Sequence, residues 1–278
     1  MVDKHDLIGQ SDAKLGIKGM ASGNMKTLPF PVGKPPNPAD ELSSNGRGEA
    51  EALRDVVCRL EEGIVLGQLH PRERLVEDDL MRRFGMKRHL VRKALADLEQ
   101  MGLVERVPNR GAQVRSYAPD EIEELYVLRD LLETHAARLV PMPMEKSDLS
   151  DIKRIQEKHD EAVESGDLGL VFRTNVAFHD ILFSKTKNRY LVEAIKQSAL
   201  RTHGIRFYCL TDPGYLSQAR KEHWLMIEAI EKCDRAALVD LCSRHLLASR
   251  ACYAKAWSMT VSILLGETRR SKIDVFLP

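Results

Sequence analysis

Between Lys87 and Lys93 the chain reads KRHLVRK, four cations and a histidine within seven residues. Arg88 and Arg92 stand four apart, so on a helix they leave the same face. A guanidinium fork meets the O6 and N7 acceptors of guanine together, so two arginines on one face suit base reading in a major groove. Lys87, Lys93 and Arg110 are better matched to phosphate, a contact that positions a protein on a duplex without specifying sequence. His89 is compatible with either contact. Gly111 offers a backbone free to take a positive φ or to approach a phosphate closely. The competing reading of this stretch is a basic helix face that is merely solvated.

Such side chains need a rigid platform. The segment LVEDDLMRRFGMKRHLVRKALADLEQMGLVERVPNRGAQV, Leu75 to Val114, has the pattern of helix, tight turn, helix and two-stranded wing. Apolar periodicity predicts helices over 49–66, 76–84 and 88–101, with Gly85 in the turn. Val91, Ala94, Leu95 and Leu98 form the buried stripe of the third helix. Strands are expected over 103–107 and 113–116, joined through Pro108, Asn109, Arg110 and Gly111. This is the layout of a winged helix-turn-helix, which lays its second motif helix in the DNA major groove. Met81 to Arg115 carries nine Lys/Arg against three acids, in a chain whose net charge is only +1. One basic module on a near-neutral protein fits binding of double-stranded DNA by that module alone.

From residue 119 to 257 the pattern is entirely helical. Helices are expected over 119–138, 147–165, 168–185, 189–209, 215–232 and 234–257, an arrangement that predicts an antiparallel bundle. The fold class expected is therefore mainly α: an N-terminal winged helix-turn-helix with a small β-hairpin wing, then an all-α bundle. The expected divisions are a leader over 1–48, a DNA-binding domain over 49–117, a helical domain over 118–260 and a tail over 261–278. The leader, rich in Pro, Gly, Ser and Asn, lacks a periodic apolar face and is expected to be disordered. Five cysteines, an odd number with no CxxC pair, argue for a reducing compartment. No apolar run approaches the roughly 18 residues of a membrane span, and the N-terminus lacks the order of a secretory signal. A cytoplasmic protein with no membrane partner is the expectation.

Several separated motifs also occur in the order of a known family. LEEGIVLGQLHPRERLVEDDL and VRKALADLEQMGLVERVPNRGAQV, with LRDLLETHAARL, FRTNVAFHDILF, EHWLMIEAIEKCDRAAL and a later SRH, resemble a GntR-family transcriptional regulator of the FadR-like branch with an FCD effector domain. The resemblance spans roughly residues 50–257. Departures occur within it. The Ser-Arg-Thr-Pro-like start of the family's recognition helix is Lys87-Arg88-His89-Leu90 here, so the usual N-cap is missing, a loss of about 1 kcal/mol. The Glu that usually follows the second arginine is Lys93, and the turn glycine before the second helix is Arg72.

The resemblance implies a divalent metal held by Asn175, His179, His223 and His245. Asn175 and His179 are four apart on one helix, and three imidazoles with an amide oxygen suit Zn²⁺, Ni²⁺ or Mn²⁺. Where the family has aspartate, Asn175 is neutral, so a bound ion keeps its full charge and attracts an anion more strongly. Arg129, which matches an arginine of the family's first effector helix, and Arg206, placed by its own helix, are the expected contacts to a small carboxylate effector. His135, His159 and His203 are read as ordinary structural residues. The function implied is a homodimeric, metabolite-responsive regulator, a repressor released by an organic acid at the metal. Two alternatives stand: a metal-dependent enzyme acting on a carboxylate, and a constitutive DNA-binding protein with a structural metal.

Overall fold

The computed structural model describes residues 45–108 and 110–273. The expected leader, up to residue 44, and residues 274–278 of the expected tail lie outside them. Helix α1 (Asn45–Val65) leads into β1 (Arg74–Leu75), α2 (Glu77–Phe84), α3 (Arg88–Gln100), β2 (Val104–Val107) and β3 (Gly111–Val114). The strands form an antiparallel sheet in the order β1-β3-β2, with Glu105 opposite Gln113 and Arg74 opposite the other side of Gln113. The wing was anticipated, but β1 was not, because two residues carry no readable periodicity. Gly111 opens β3 at φ 80°, the left-handed backbone expected of it.

The apolar stripe of α3 packs as its spacing dictates. Val91, Ala94, Leu95 and Leu98 are buried in one core with Leu53, Val56, Leu60 and Ile64 of α1 and with Leu103, Val104 and Val114 of the wing. Burying that stripe turns the opposite face of α3, with Arg88, His89, Arg92 and Lys93, to solvent.

Arg72 stands at φ 67° while its N–H donates to Val114 O at 2.8 Å. A side chain in that region costs about 1–2 kcal/mol, which glycine avoids. Arg72→Gly is therefore expected to stabilise the protein by about 0.5–1 kcal/mol after its own entropic cost, read as a raised urea midpoint at unchanged slope. An unchanged or lowered midpoint would mean that the Arg72 side chain makes a compensating contact.

The helical half comprises α4 (Pro119–Leu139), α5 (Lys146–Ser165), α6 (Leu168–Ser184), α7 (Arg189–Arg201), a 3₁₀ turn (His203–Ile205), α8 (Phe207–Leu210), α9 (Pro213–Glu231) and α10 (Arg235–Ile273). Its core joins Ala136 and Ala137 of α4, Phe178 and Leu182 of α6, Met226 and Ile227 of α9, and Leu238 of α10. Two expectations need correction. The single helix expected over 189–209 stops at Arg201 and re-forms as the 3₁₀ turn and α8. The last helix continues through the expected tail to Ile273. A smaller cluster of Val65, Ala162, Val171, Phe172 and Leu210 ties the end of α1 to α5, α6 and α8. No helix among the described residues is long and apolar enough to cross a membrane.

Candidate metal and DNA-contact sites

The bundle brings three histidines together. His179 of α6, His223 of α9 and His245 of α10 each offer a ring nitrogen, and these nitrogens lie within 4.8 Å of one another. His223 stacks on Phe178, with ring centroids 4.1 Å apart. Apolar packing on three different helices therefore converges the imidazoles. Asn175 is buried one turn before His179 on α6.

The electrostatics suit a cation. Burial, then the neighbouring His245, holds His179 and His223 well below the usual imidazole range, so both are neutral with a lone pair available. His179 Nδ1, His223 Nε2 and Asn175 Nδ2 are buried without a hydrogen-bond partner. Unpartnered buried polar atoms are costly, and a metal ion would satisfy both nitrogens. The Asn175 amide, turned over, presents its oxygen where Nδ2 now lies. The residues present thus fit a divalent ion.

An outer layer orients the rings. His223 Nδ1 lies 2.8 Å from Gln156 Oε1, and Gln156 Nε2 donates to Asp160 Oδ1. His245 Nδ1 lies 2.9 Å from Glu222 Oε2, and Gln218 donates to Oε1 of the same carboxylate. Burial pushes the Glu222 carboxyl up, but the hydrogen bonds from His245 and Gln218 outweigh it and hold it below the usual range. In His223 and His245 the Nδ1–H is thereby committed to an oxygen, which leaves Nε2 as the ligand atom. Gln156 and Glu222 were not singled out from sequence. Their role arises from helices distant in the chain, and no local spacing marks them.

His159, read from sequence as structural, sits with its ring centroid 5.3 Å from that of His223. Its Nδ1 meets Thr174 Oγ1 at 2.9 Å, and burial lowers it to about 4. The unfolded chain accepts a proton near pH 6.5, whereas the folded chain refuses it until about 4. Stability is therefore lost as pH falls below 6.5. Metal-free protein is expected to lose about 2 kcal/mol between pH 7 and pH 5 from this group alone, read by urea denaturation at both values. A flat profile over that range would contradict it.

Beside the histidines lies a cavity of about 30 Å³, lined by Arg129, Glu133, His179, His203 and Arg206 among others. Both arginines expected to meet an effector therefore reach the same cavity as His179. Arg129 is fully buried and tied by a 2.8 Å ion pair to Glu133, an acid the sequence reading passed over. Arg206 is half-buried, with no acid partner among the described residues. His203, also read as structural, proves to line the same cavity, whereas His135 is exposed.

On the winged-helix half, Lys87, Arg88, His89, Arg92, Lys93, Arg110 and Gly111 are all exposed. Lys87 occupies the N-cap of α3 in an extended conformation and makes no side-chain cap bond. Arg88 and Arg92 share one partner: Glu77 Oε2 lies 3.3 Å from Arg88 Nη1 and 3.0 Å from Arg92 Nε. Arg88 also meets Asp78 at 2.6 Å. The two arginines thus leave a common face, steadied by acids of α2 through exposed ion pairs, which are individually weak and exchangeable for a nucleic acid. Lys87 pairs with Glu49 of α1 at 3.1 Å. Lys93 and Arg110 have no acid partner among the described residues.

Comparison with known proteins bears on both halves. Residues 53–114 match the family described as bacterial regulatory proteins of the gntR family, and residues 124–248 match the FCD domain. An uncharacterized HTH-type transcriptional regulator of Bacillus subtilis, YdhC, is 26% identical over 191 residues, 68% of this chain and 84% of that protein. The HTH-type transcriptional regulator McbR of Escherichia coli is 24% identical over 213 residues, 76% of this chain and 91% of that protein. The solved structure of McbR superposes with a TM-score of 0.66 at 22% identity, covering 74% of this chain and 98% of that one. A GntR transcriptional regulator from Rhodococcus sp. RHA1 gives 0.64 at 21%, covering 74% and 99%. These structures are similar in fold.

Proposed function

We propose that this chain, which belongs to the GntR family of transcriptional regulators and carries an FCD domain, is a metabolite-responsive repressor whose helical half senses a small organic acid at a divalent metal. Regulators of this family bind DNA and are not enzymes, so the enzymatic alternative is set aside. The observation that carries the sensing role is the convergence of His179, His223 and His245 beside a cavity lined by Arg129 and Arg206. Three imidazoles and the Asn175 amide would hold Zn²⁺, Ni²⁺ or Mn²⁺ and leave coordination positions open. The ion, as a Lewis acid with open positions, supplies an anchor for a carboxylate. Arg206, unneutralised, would pair with a second carboxylate oxygen.

In the DNA-bound form Arg88 and Arg92 would exchange Glu77 and Asp78 for base edges, while Lys87, Lys93, Arg110 and the Gly111 backbone meet phosphate and His89 meets either. A homodimer would present two α3 helices to an inverted-repeat operator. The exposed apolar positions Val127, Leu128 and Leu131 of α4 support such self-association. Release of the operator on binding the acid follows from simple occlusion of a promoter, which needs no contact with polymerase. The effector's leverage is its difference in affinity for the two states. Selection from a random duplex pool should recover an inverted repeat, with half-site centres spaced by about one helical turn or a multiple of it. A single asymmetric half-site, or no consensus, would contradict dimeric recognition.

A further inference from the structure

The cavity that holds Arg129 and His179 shares a wall with the DNA-binding half. That wall is the break between α7 and α8. Arg129 Nη1 donates to Thr202 Oγ1 at 3.0 Å, and the next residue, His203, lines the cavity itself. His203 Nδ1 lies 2.7 Å from Glu61 Oε1 on α1, a part-buried hydrogen bond spanning 142 residues of sequence. Phe172 of α6 packs edge-on against the same imidazole, with centroids 4.8 Å apart.

Glu61 belongs to the helix on which α3 is packed. Its neighbours Leu60 and Ile64 are in one core with Val91, Leu95 and Leu98. The same break also touches the far end of the recognition helix. A Cβ at Gly102, just beyond α3, would lie 2.9 Å from Arg201 Cγ, and one at Gly204 would lie 3.8 Å from Leu103 Cδ2. Residues 201–205 are therefore wedged between the cavity on one side and α1 with the α3–β2 junction on the other.

The cavity encloses about 30 Å³, room for a water or two. A bound carboxylate needs more, and the wall that yields most cheaply is the short broken segment rather than a long packed helix. Among the described residues, the other hydrogen-bonded tie from α6–α8 to α1 is the exposed Arg173–Glu62 pair, at 2.6 Å, and exposed pairs contribute little.

We propose that the His203–Glu61 hydrogen bond is the latch through which occupancy of this cavity is reported to the DNA-binding half. The proposal rests on the reading of the cavity as the effector site. A ligand on the Arg129 side displaces residues 202–206. His203 then withdraws from Glu61, and α1 with α3 is freed to change orientation. His203 and Glu61 are positioning residues; neither is a metal ligand, and neither meets DNA in this account.

The test is amide hydrogen exchange on the full chain, with Zn²⁺ alone and Zn²⁺ with citrate as probes. In the wild type, zinc should slow exchange at 172–182 and 220–248. Citrate should then speed exchange at 57–66 and 99–104 by roughly 3-fold or more. In His203→Phe and Glu61→Ala those two segments should exchange fast without probe and stop responding to citrate, with zinc protection at α6 and α9 retained. Glu61→Gln, which keeps an acceptor oxygen, should restore at least half of the response. A citrate response in Glu61→Ala equal to that of the wild type overturns the latch, as does a wild-type α1 that ignores citrate while zinc protects α6. Absence of zinc protection in the wild type overturns the metal reading and, with it, the latch that rests on it.

Discussion

Replacing His179, His223 or His245 with alanine is expected to lower divalent-metal affinity by roughly 100-fold or more, because loss of an outer-shell partner alone costs about 10–100-fold. Each ring comes from a different helix, and among the described residues no other histidine, cysteine or carboxylate belongs to their cluster. Glu222→Gln should give the smaller, outer-shell effect of about 10-fold, because the amide orients the His245 ring less firmly than the carboxylate does. Asn175→Asp should shift affinity the other way. An anionic oxygen joins the set and tightens the metal, while the site loses one unit of positive charge and holds a carboxylate less strongly. Elemental analysis and metal titration on these five variants separate the outcomes. Three alanine variants with a full metal complement would remove the site assignment. Basal DNA binding should persist in all of them, since α3 folds on a different core.

The second large effect belongs to α3. Arg88→Ala and Arg92→Ala should each cost about 1–3 kcal/mol on the selected operator, roughly 5- to 150-fold in affinity, and relax the preference at one or two positions of each half-site. Lys87→Ala should weaken all sequences alike and reduce the salt slope by about one unit. The ion pairs with Glu77 add a refinement. Glu77→Gln removes the competitor shared by both arginines, so it should strengthen binding to any duplex. Titrations over salt and operator variants report all four. Unchanged base preference in both arginine variants would mean that the α3 face meets only phosphate.

The parts of this fold legible in the sequence were those with long periods. The stripe Val91, Ala94, Leu95 and Leu98 fixed which face of α3 is buried, and hence which face carries Arg88 and Arg92. The helical half was legible for the same reason. β1 was not, because its two residues are organised by partners across the sheet. The expected helix over 189–209 erred at Thr202, where Gly204 was the only local warning of a break. That error also hid His203, which reaches both the cavity and Glu61 where the chain breaks beside Arg129. The proposed metal ligands were suggested by family resemblance rather than spacing, since His223 and His245 lie on separate helices and only tertiary packing joins them. Gln156 and Glu222 work through partners 67 and 23 residues away, which no window can register.

One titration addresses the central claim, that the cavity in the helical half governs DNA binding by α3. Operator affinity is measured by fluorescence anisotropy for metal-stripped protein, for zinc-loaded protein, and for zinc-loaded protein with a panel of mono-, di- and tricarboxylates. At least one acid should weaken wild-type binding by roughly 10-fold, or about 1.4 kcal/mol, and leave His223→Ala unmoved. A wild-type affinity identical across the whole panel, with or without metal, would contradict it.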